Sequence, residues 1–170
     1  MKKVNILDIA EYLALRFELE GIPLSPLKLQ KLLYYIQAWH LVFFEKNLIF
    51  EELPEAWVNG PVYRTVYNHY SKKYKLGDII KQEVSDNELQ DKASEKFANL
   101  SLSEEQAKYL EAIISKYGFR LSAEELVYLT HVEDPWNDAR QGLGDFERST
   151  KRISVDSMYN YYQSKRKIKQ

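Results

Sequence analysis

The sequence predicts a mainly α-helical protein with one or two short β segments. Its 170 residues suit one domain, and 45% hydrophobic beside 29% charged residues is ordinary for a globular protein. Apolar residues recur at helical spacing through most of the chain, whereas residues 48–60 and 79–84 interrupt that spacing. We therefore expect the β segments there, and we assign residues 1–170 to a single compact helical domain with a basic tail from about residue 165.

The first two helices are marked by capping residues. Asn5 is a suitable N-cap for the first helix, and Gly21 is a suitable stop. Ser25 followed by Pro26 supplies the cap and the first residue of a second helix, which runs to about Glu45. Because this second helix is apolar on nearly every face, we expect it to lie in the middle of a helical bundle.

The segment EAWVNGPVYRTVY, residues 55–67, contains the clearest turn signal of the chain. Asn59 and Gly60 favour a turn because both tolerate positive φ. Pro61 has its φ set near the helical value and lacks an N–H, so we expect it at the first position of a helix. Gly60-Pro61 is therefore interpreted as a structural hinge between an extended segment and a helix.

That helix would carry four tyrosines on one face, because they recur at i, i+4, i+7 and i+11. A tyrosine stripe is typical either of a core whose edge is exposed to water or of a recognition surface. Tyrosine offers a large contact area and loses little side-chain entropy on binding. We expect part of the stripe, foremost Tyr70 and Tyr74, to reach solvent. The predicted partner-binding residues are Tyr63, Tyr67, Tyr70, Lys72, Lys73 and Tyr74.

From Gly77 onward, the sequence pattern predicts secondary structure less clearly. The heptapeptide DIIKQEV, residues 78–84, is interpreted as a strand, and the polar stretch at 85–100 could form a helix. Helical signals then return with two capping boxes, and Gly118 is placed as the stop of the first of these two helices. The boxes are Ser103 with Gln106 and Ser122 with Glu125. A last amphipathic helix covers residues 155–162.

The block THVEDPWNDAR, residues 130–140, leaves two interpretations open. In a catalytic one, His131 acts as a base and Arg140 holds an anion. In a structural one, Asp134-Pro135 caps a helix, Trp136 anchors the core and Arg140 clamps a carboxylate. We favour the structural interpretation because it needs no missing nucleophile or cofactor, and we expect Trp57 to anchor the core as well. The predicted structural motif comprises Trp57, Gly60, Pro61, His131, Asp134, Pro135, Trp136 and Arg140.

Composition and spacing exclude several kinds of site. The chain has no cysteine, which removes thiolate ligands and nucleophiles and suits a reducing cytoplasm. His40, His69 and His131 lack the spacing of metal ligands. We therefore assign no catalytic residue, no metal and no cofactor. Apolar runs are too short for a bilayer, so we expect a cytoplasmic protein without a membrane partner.

Basic residues alternate with aromatic ones in HYSKKYK, residues 69–75, which could stack bases and neutralise phosphates. However, the net charge of the chain is −1, whereas a dedicated nucleic-acid binder usually has a basic domain. Nucleic acid is therefore not the expected partner, although it remains an alternative. The tail adds a second basic run of Lys165, Arg166, Lys167 and Lys169.

Three blocks together resemble the Panacea domain family: LQKLLYYIQAW (29–39), EAWVNGPVYRTVY (55–67) and LTHVEDPWNDAR (129–140). The resemblance spans roughly residues 5–162. It implies a small, mostly helical bacterial or prophage protein related to SocA-like antitoxins and phage-associated proteins, many of which neutralise unrelated toxins by direct binding. It also implies a branch that hands a toxin to a cytoplasmic protease complex.

From this resemblance we expect an antitoxin-like interaction protein with a cognate toxin as its partner, and no enzyme. Two alternatives from other classes stay open. One is a nucleic-acid-binding phage or prophage protein that uses the basic end of the tyrosine helix. The other is an enzyme that uses His131.

Overall fold

The structure, a computed structural model, describes residues 3–168 and the side chains as far as Arg166. Helices account for most of this range, so the mainly α-helical fold class is confirmed. In chain order the elements are α1 (Ile6–Leu19), α2 (Pro26–Phe43), β1 (Glu55–Trp57), β2 (Gly60–Val62), α3 (Arg64–Tyr70), α4 (Asp86–Asn99), α5 (Glu104–Ile113), a π-helix (Ile114–Phe119), α6 (Ala123–Val132), α7 (Asp134–Ala139) and α8 (Val155–Ile168).

Helix α2 forms the centre of the molecule, as its all-round apolar sequence predicts. Sixteen of its 18 residues are buried, and it packs against α8, α6, β2 and the π-helix. The hydroxyl of Ser25 caps it by accepting the backbone N–H of Lys28. Helix α4 lies at the periphery instead, where it packs against α1.

Two glutamines of α2 bring polar groups into this core. Gln30 donates to the carbonyl of Tyr63 at 3.1 Å and accepts the N–H of the same residue at 2.8 Å. Seven residues later, Gln37 donates to the carbonyl of Phe50 at 2.9 Å and accepts the N–H of Ile49 at 3.0 Å. Each amide replaces a missing backbone partner, so the irregular chain on either side of the strands can be buried without unpaired groups.

The β strands form an antiparallel hairpin with Ala56 opposite Pro61 and Trp57 opposite Gly60. The β segment expected within 48–60 is thus confirmed, but Pro61 lies in β2, and α3 begins only at Arg64. The N–H of Ala56 points away from β2 and donates to the carbonyl of Lys151 at 2.8 Å. Ala56 and Pro61 therefore form a non-hydrogen-bonded pair, in which the missing N–H of proline costs nothing.

The strand expected at residues 79–84 is wrong, because this segment contains no strand. Tertiary hydrogen bonds hold it instead. The N–H of Ile80 donates to the carbonyl of Leu24 at 2.9 Å, and the hydroxyl of Tyr74 bonds both backbone groups of Lys81. The polar stretch that follows does form a helix, α4, as the sequence allowed.

Gly118 does not stop a helix as expected, since α5 continues directly into the π-helix that contains it. A Cβ at Gly118 would lie 2.7 Å from Cζ of Phe17 and 3.2 Å from Cδ2 of Leu32. Glycine therefore permits the close approach of the π-helix to α1 and α2. Both predicted capping boxes are present, at Ser103 and Ser122.

The basic tail expected from about residue 165 continues α8 as far as Ile168, whereas Lys169 lies outside the described residues. Within residues 3–168, none of the helices has the length and apolar character needed to cross a bilayer.

Candidate functional site

Four side chains from the first and third motif blocks converge on the hairpin, which the second block encodes. Three of them donate a hydrogen bond to a backbone carbonyl of the hairpin, and the fourth, His131, brings Nε2 within hydrogen-bonding distance of another carbonyl; we call the four together the hairpin clamp. The bonds are Arg140 Nη1 to the Ala56 carbonyl (2.9 Å), Trp136 Nε1 to the Trp57 carbonyl (2.8 Å), His131 Nε2 to the Val58 carbonyl (3.0 Å) and Lys31 Nζ to the Pro61 carbonyl (3.0 Å).

The clamp accounts for the polar residues of the third block. Nδ1 of His131 faces the carbonyl of Val127 at 2.7 Å, so both ring nitrogens lie against backbone carbonyls. The ring also packs against Trp136, with 4.0 Å between the centroids. This arrangement leaves neither nitrogen of His131 turned toward a substrate, as a catalytic base would require.

Two details of the structural interpretation need correction. Arg140 does not clamp a carboxylate, because its second nitrogen bonds the carbonyls of Gly144 and Glu147, at 3.0 and 2.7 Å. Asp134 does not cap α7 either, since it is the first helical residue and Glu133 occupies the N-cap position. Pro135 lies in the first turn and is buried, where its missing N–H is tolerated.

The two tryptophans of the motif have different surroundings. Trp136 is 7% exposed, which fits a core anchor. Trp57 is only half-buried, so its expected place in the core is wrong. Its indole N–H donates to Oε2 of Glu55 at 2.7 Å, and its ring meets that of Tyr67 edge-on.

Lys31 is the one clamp residue that sequence reasoning left without a role. Its side chain is fully buried, and burial lowers its pKa to about 7. Within the described part of the chain, Lys31 forms no ion pair. Its side-chain nitrogen donates to the carbonyl of Pro61. A lysine in a stretch as apolar as KLLYYI is the signal that could have drawn attention to it.

We predict that Lys31 makes stability rise with pH. Between about pH 7 and the unfolded lysine pKa of about 10.4, the unfolded chain binds a proton that the native chain lacks. The free energy of unfolding should therefore increase by up to about 1.4 kcal/mol per pH unit from about pH 7 to about pH 9, below the ionisation of tyrosine. Urea unfolding over this range should show a flatter slope for Lys31→Met than for wild type, and equal slopes would contradict the prediction.

The structure separates the tyrosines that the sequence placed on one helical face. Tyr63 precedes α3 and is fully buried, and Tyr70 is 7% exposed, so the expected exposure of Tyr70 is wrong. Tyr74 lies beyond the end of α3, and its hydroxyl is occupied by Lys81. The buried rings offer no surface to a partner in this conformation.

The remaining residues of the predicted partner surface lie toward solvent. Tyr67 and Tyr74 are half-buried, and Lys72 and Lys73 are exposed. Lys73 forms an ion pair with Glu83. A role in partner binding stays a prediction, above all for Tyr67 and Lys72. Among the described residues, neither the hydroxyl of Tyr67 nor the ammonium of Lys72 forms an intramolecular hydrogen bond.

A second polar cluster, which sequence reasoning missed, joins α8 to the core. Oε2 of Glu133 accepts the hydroxyls of Tyr35 at 2.8 Å and Tyr162 at 2.5 Å. Burial raises the pKa of the Glu133 carboxyl, although both phenols favour its charged form. The ring of Tyr35 stacks on that of Tyr117, with 4.2 Å between the centroids. This cluster connects α2, the π-helix, the α6–α7 junction and α8.

The histidines do not gather on a metal. Nδ1 of buried His40 faces the carbonyl of Asn47 at 2.7 Å, and its Nε2 faces the side-chain amide of Gln106 at 3.1 Å. His69 is exposed on α3. Over residues 3–168, no group of three or more histidine or acidic side chains is arranged to hold a metal ion.

Comparison with known proteins identifies the family of the chain. The family described as antitoxin SocA-like, Panacea domain, matches residues 29–137, which include three of the four clamp residues. The chain is also 32% identical over 129 residues to Antitoxin SocA of Caulobacter vibrioides (strain NA1000 / CB15N). That alignment covers 72% of this chain and 63% of the curated relative, so the chain spans less than two thirds of the relative's length. No solved structure matches the chain. Because the family match extends over more than half of the chain, the protein belongs to the SocA-like antitoxin family with a Panacea domain.

Proposed function

We propose that this protein is an antitoxin that binds a protein toxin directly and neutralises it. Family membership and the name of the curated relative support the proposal. The observation that carries it is the hairpin clamp. Four side chains of the family blocks contact backbone carbonyls inside the protein, which supports a scaffold role for these blocks.

The enzyme alternative loses its key residue in this arrangement. A base at His131 would need a ring nitrogen that faces a substrate, whereas both nitrogens face carbonyls of the chain itself. Arg140, the expected anion holder, is 6% exposed and bonded to carbonyls. We therefore propose a role in binding rather than in catalysis.

The nucleic-acid alternative is weakened by ion pairing around α3. Arg64 donates to both carboxylate oxygens of Glu55, at 3.0 and 2.7 Å, and Lys73 pairs with Glu83. Each such pair reduces the positive charge that would otherwise attract phosphates. Of the basic residues from Arg64 to Lys75, this leaves Lys72 and Lys75 without an acidic partner among the ion pairs of the described chain.

We expect this protein to rescue cell growth when it is co-expressed with the toxic product of a neighbouring gene, and to co-purify with that product. A rigid antitoxin must be folded to act, so a poorly folding variant, Gly60→Val, is the control and should rescue less well. Growth arrest that the wild-type protein does not relieve, at any expression ratio, would contradict the proposed function.

The same experiment separates two routes of neutralisation. If binding blocks the toxin, toxin levels stay constant during rescue and the complex accumulates. If the protein delivers the toxin to a protease, toxin levels fall, and rescue is lost in cells that lack the responsible protease. We propose blocking, because a folded scaffold with a large exposed surface is sufficient for it.

A further inference from the structure

An apolar groove of about 770 Å³ lies between the C-terminal half of α2, α5 with its π-helix, and α8. Its floor is formed by Trp39, Tyr109 and Ile113, which are each less than one tenth exposed. Phe43, at the end of α2, is 48% exposed and presents its ring to the groove. An exposed aromatic ring beside a buried aromatic floor is typical of a binding hot spot.

The rim of this groove is mainly basic. Lys116 and Arg166 line it together with Lys108, which forms an ion pair with Glu104, and with one carboxylate, Glu105. The guanidinium of Arg166 lies 4.8 Å from the ring centroid of Phe43, and the ammonium of Lys116 lies 5.4 Å from that of Trp39. Two cations thus lie directly over the aromatic side chains that a ligand would contact.

We propose that this groove binds a segment of the partner toxin in which a large apolar side chain is flanked by carboxylates; this rests on the proposed function. The apolar side chain would pack against Phe43 and Ile113. A carboxylate beside it would pair with Arg166, whose guanidinium can bind both oxygens at once. Burial of the apolar side chain supplies affinity, and the basic rim supplies charge complementarity and a faster encounter.

Nucleic acid fits this groove less well than an acidic apolar peptide. Stacking of bases requires exposed aromatic faces, whereas only Phe43 among the lining aromatics is more than a third exposed. The aliphatic side chains of Ala112 and Ile113 suit an apolar side chain better than a base.

A second copy of this chain is the other competitor. Helix α6 exposes Tyr128 and Val132, at 67% and 53%, near the carboxylates of Glu124 and Glu125. A contact between the groove of one copy and α6 of the next would be heterologous, and such contacts form open chains of molecules unless the rotation closes a ring. We therefore assign the groove to a different protein.

The proposal can be tested without knowing the toxin, by selecting from a random library of displayed short peptides on the full-length protein. We expect enrichment of sequences that place Phe, Trp, Leu or Ile next to Asp or Glu, with binding that weakens as salt increases. Phe43→Ser and Arg166→Glu should each weaken binding of the selected peptides by about tenfold or more. Enrichment of basic peptides, or no enrichment at all, would overturn the proposal.

Matched controls locate the binding to the groove. Tyr128→Ser removes an exposed aromatic ring on α6, outside the groove, and this variant should bind the peptides like wild type. Circular dichroism and thermal melts should show that Phe43→Ser and Arg166→Glu remain folded. Peptide binding that survives both groove variants, or that only Tyr128→Ser loses, would contradict the groove as the site.

Two further measurements distinguish the competing occupants. If the wild-type protein self-associates in light scattering and the Phe43→Ser variant is monomeric, the groove binds a second copy. Retention of single-stranded DNA that Arg166→Glu abolishes would assign it to nucleic acid. Once the toxin is identified, the groove variants should lose growth rescue while wild type retains it. If wild type itself fails to rescue growth, the proposed function is wrong, whereas the result of the peptide selection is unaffected.

Discussion

The Gly60→Val substitution is expected to lower the free energy of unfolding by about 2–5 kcal/mol. Gly60 has φ +99°, a conformation that residues with side chains rarely adopt. A Cβ at this position would also lie 2.8 Å from both Cε of Lys31 and Oγ1 of Thr130. Lys31 is fully buried and bonded to the carbonyl of Pro61, so it cannot move aside without breaking the hairpin clamp.

Gly142→Val is the matched control for Gly60→Val. Gly142 also has positive φ, +83°, but a Cβ there would meet no heavy atom within 4 Å. The control should therefore lose only the backbone term, about 1–2 kcal/mol. Urea denaturation of both variants separates backbone strain from crowding, and equal losses at the two positions would show that the close approach to Lys31 has no energetic effect.

The second large effect is expected for Trp136→Ala, which should cost about 3–5 kcal/mol of stability. The ring is 7% exposed, packs against His131 and lies under the guanidinium of Arg140 at 5.1 Å. Its removal leaves a cavity between two clamp residues and deprives the Trp57 carbonyl of its donor. Trp57→Ala should cost clearly less, because that ring is half-buried and lies against Tyr67 near the surface.

Trp136→Phe divides this effect into its parts. Phenylalanine keeps most of the ring packing but cannot donate to the carbonyl of Trp57, so we expect a loss of about 1–3 kcal/mol. Thermal and urea unfolding of the three variants should rank Trp136→Ala as the least stable. A Trp57→Ala variant that is as unstable as Trp136→Ala would mean that the two rings contribute equally to the core.

The hairpin clamp gives the family's sequence blocks a physical meaning. The three blocks are separated by 15 or more residues in the chain, yet α2, the hairpin and the α6–α7 pair meet in space. The clamp residues among them point inward, onto backbone that lacks regular partners because the hairpin has only two strands.

Signals that act within a few residues could be predicted from the sequence. Ser25-Pro26 begins α2, and the capping boxes begin α5 and α6. The turn signal at Asn59-Gly60 marks the hairpin, although the turn residues are Val58-Asn59 and Gly60 is the first residue of β2, with positive φ. Each is decided by hydrogen bonds or dihedral preferences among neighbouring residues, so no distant contact is needed to recognise it. The central position of α2 also followed from its own apolar periodicity.

The sequence by itself therefore determined the helical class, most helix starts and the family. The tertiary structure alone decided how the polar residues are used. Pro61 lies in a strand opposite Ala56, whose N–H donates to Lys151 instead. Arg140 bonds the Ala56 carbonyl of the hairpin and two carbonyls that follow α7, instead of a carboxylate. It also decided that Tyr70 is buried, whereas Phe43 remains exposed beside Arg166. These outcomes depend on groups that are distant in the chain, up to 123 residues for Phe43 and Arg166, and local periodicity contains no information about which of them meet.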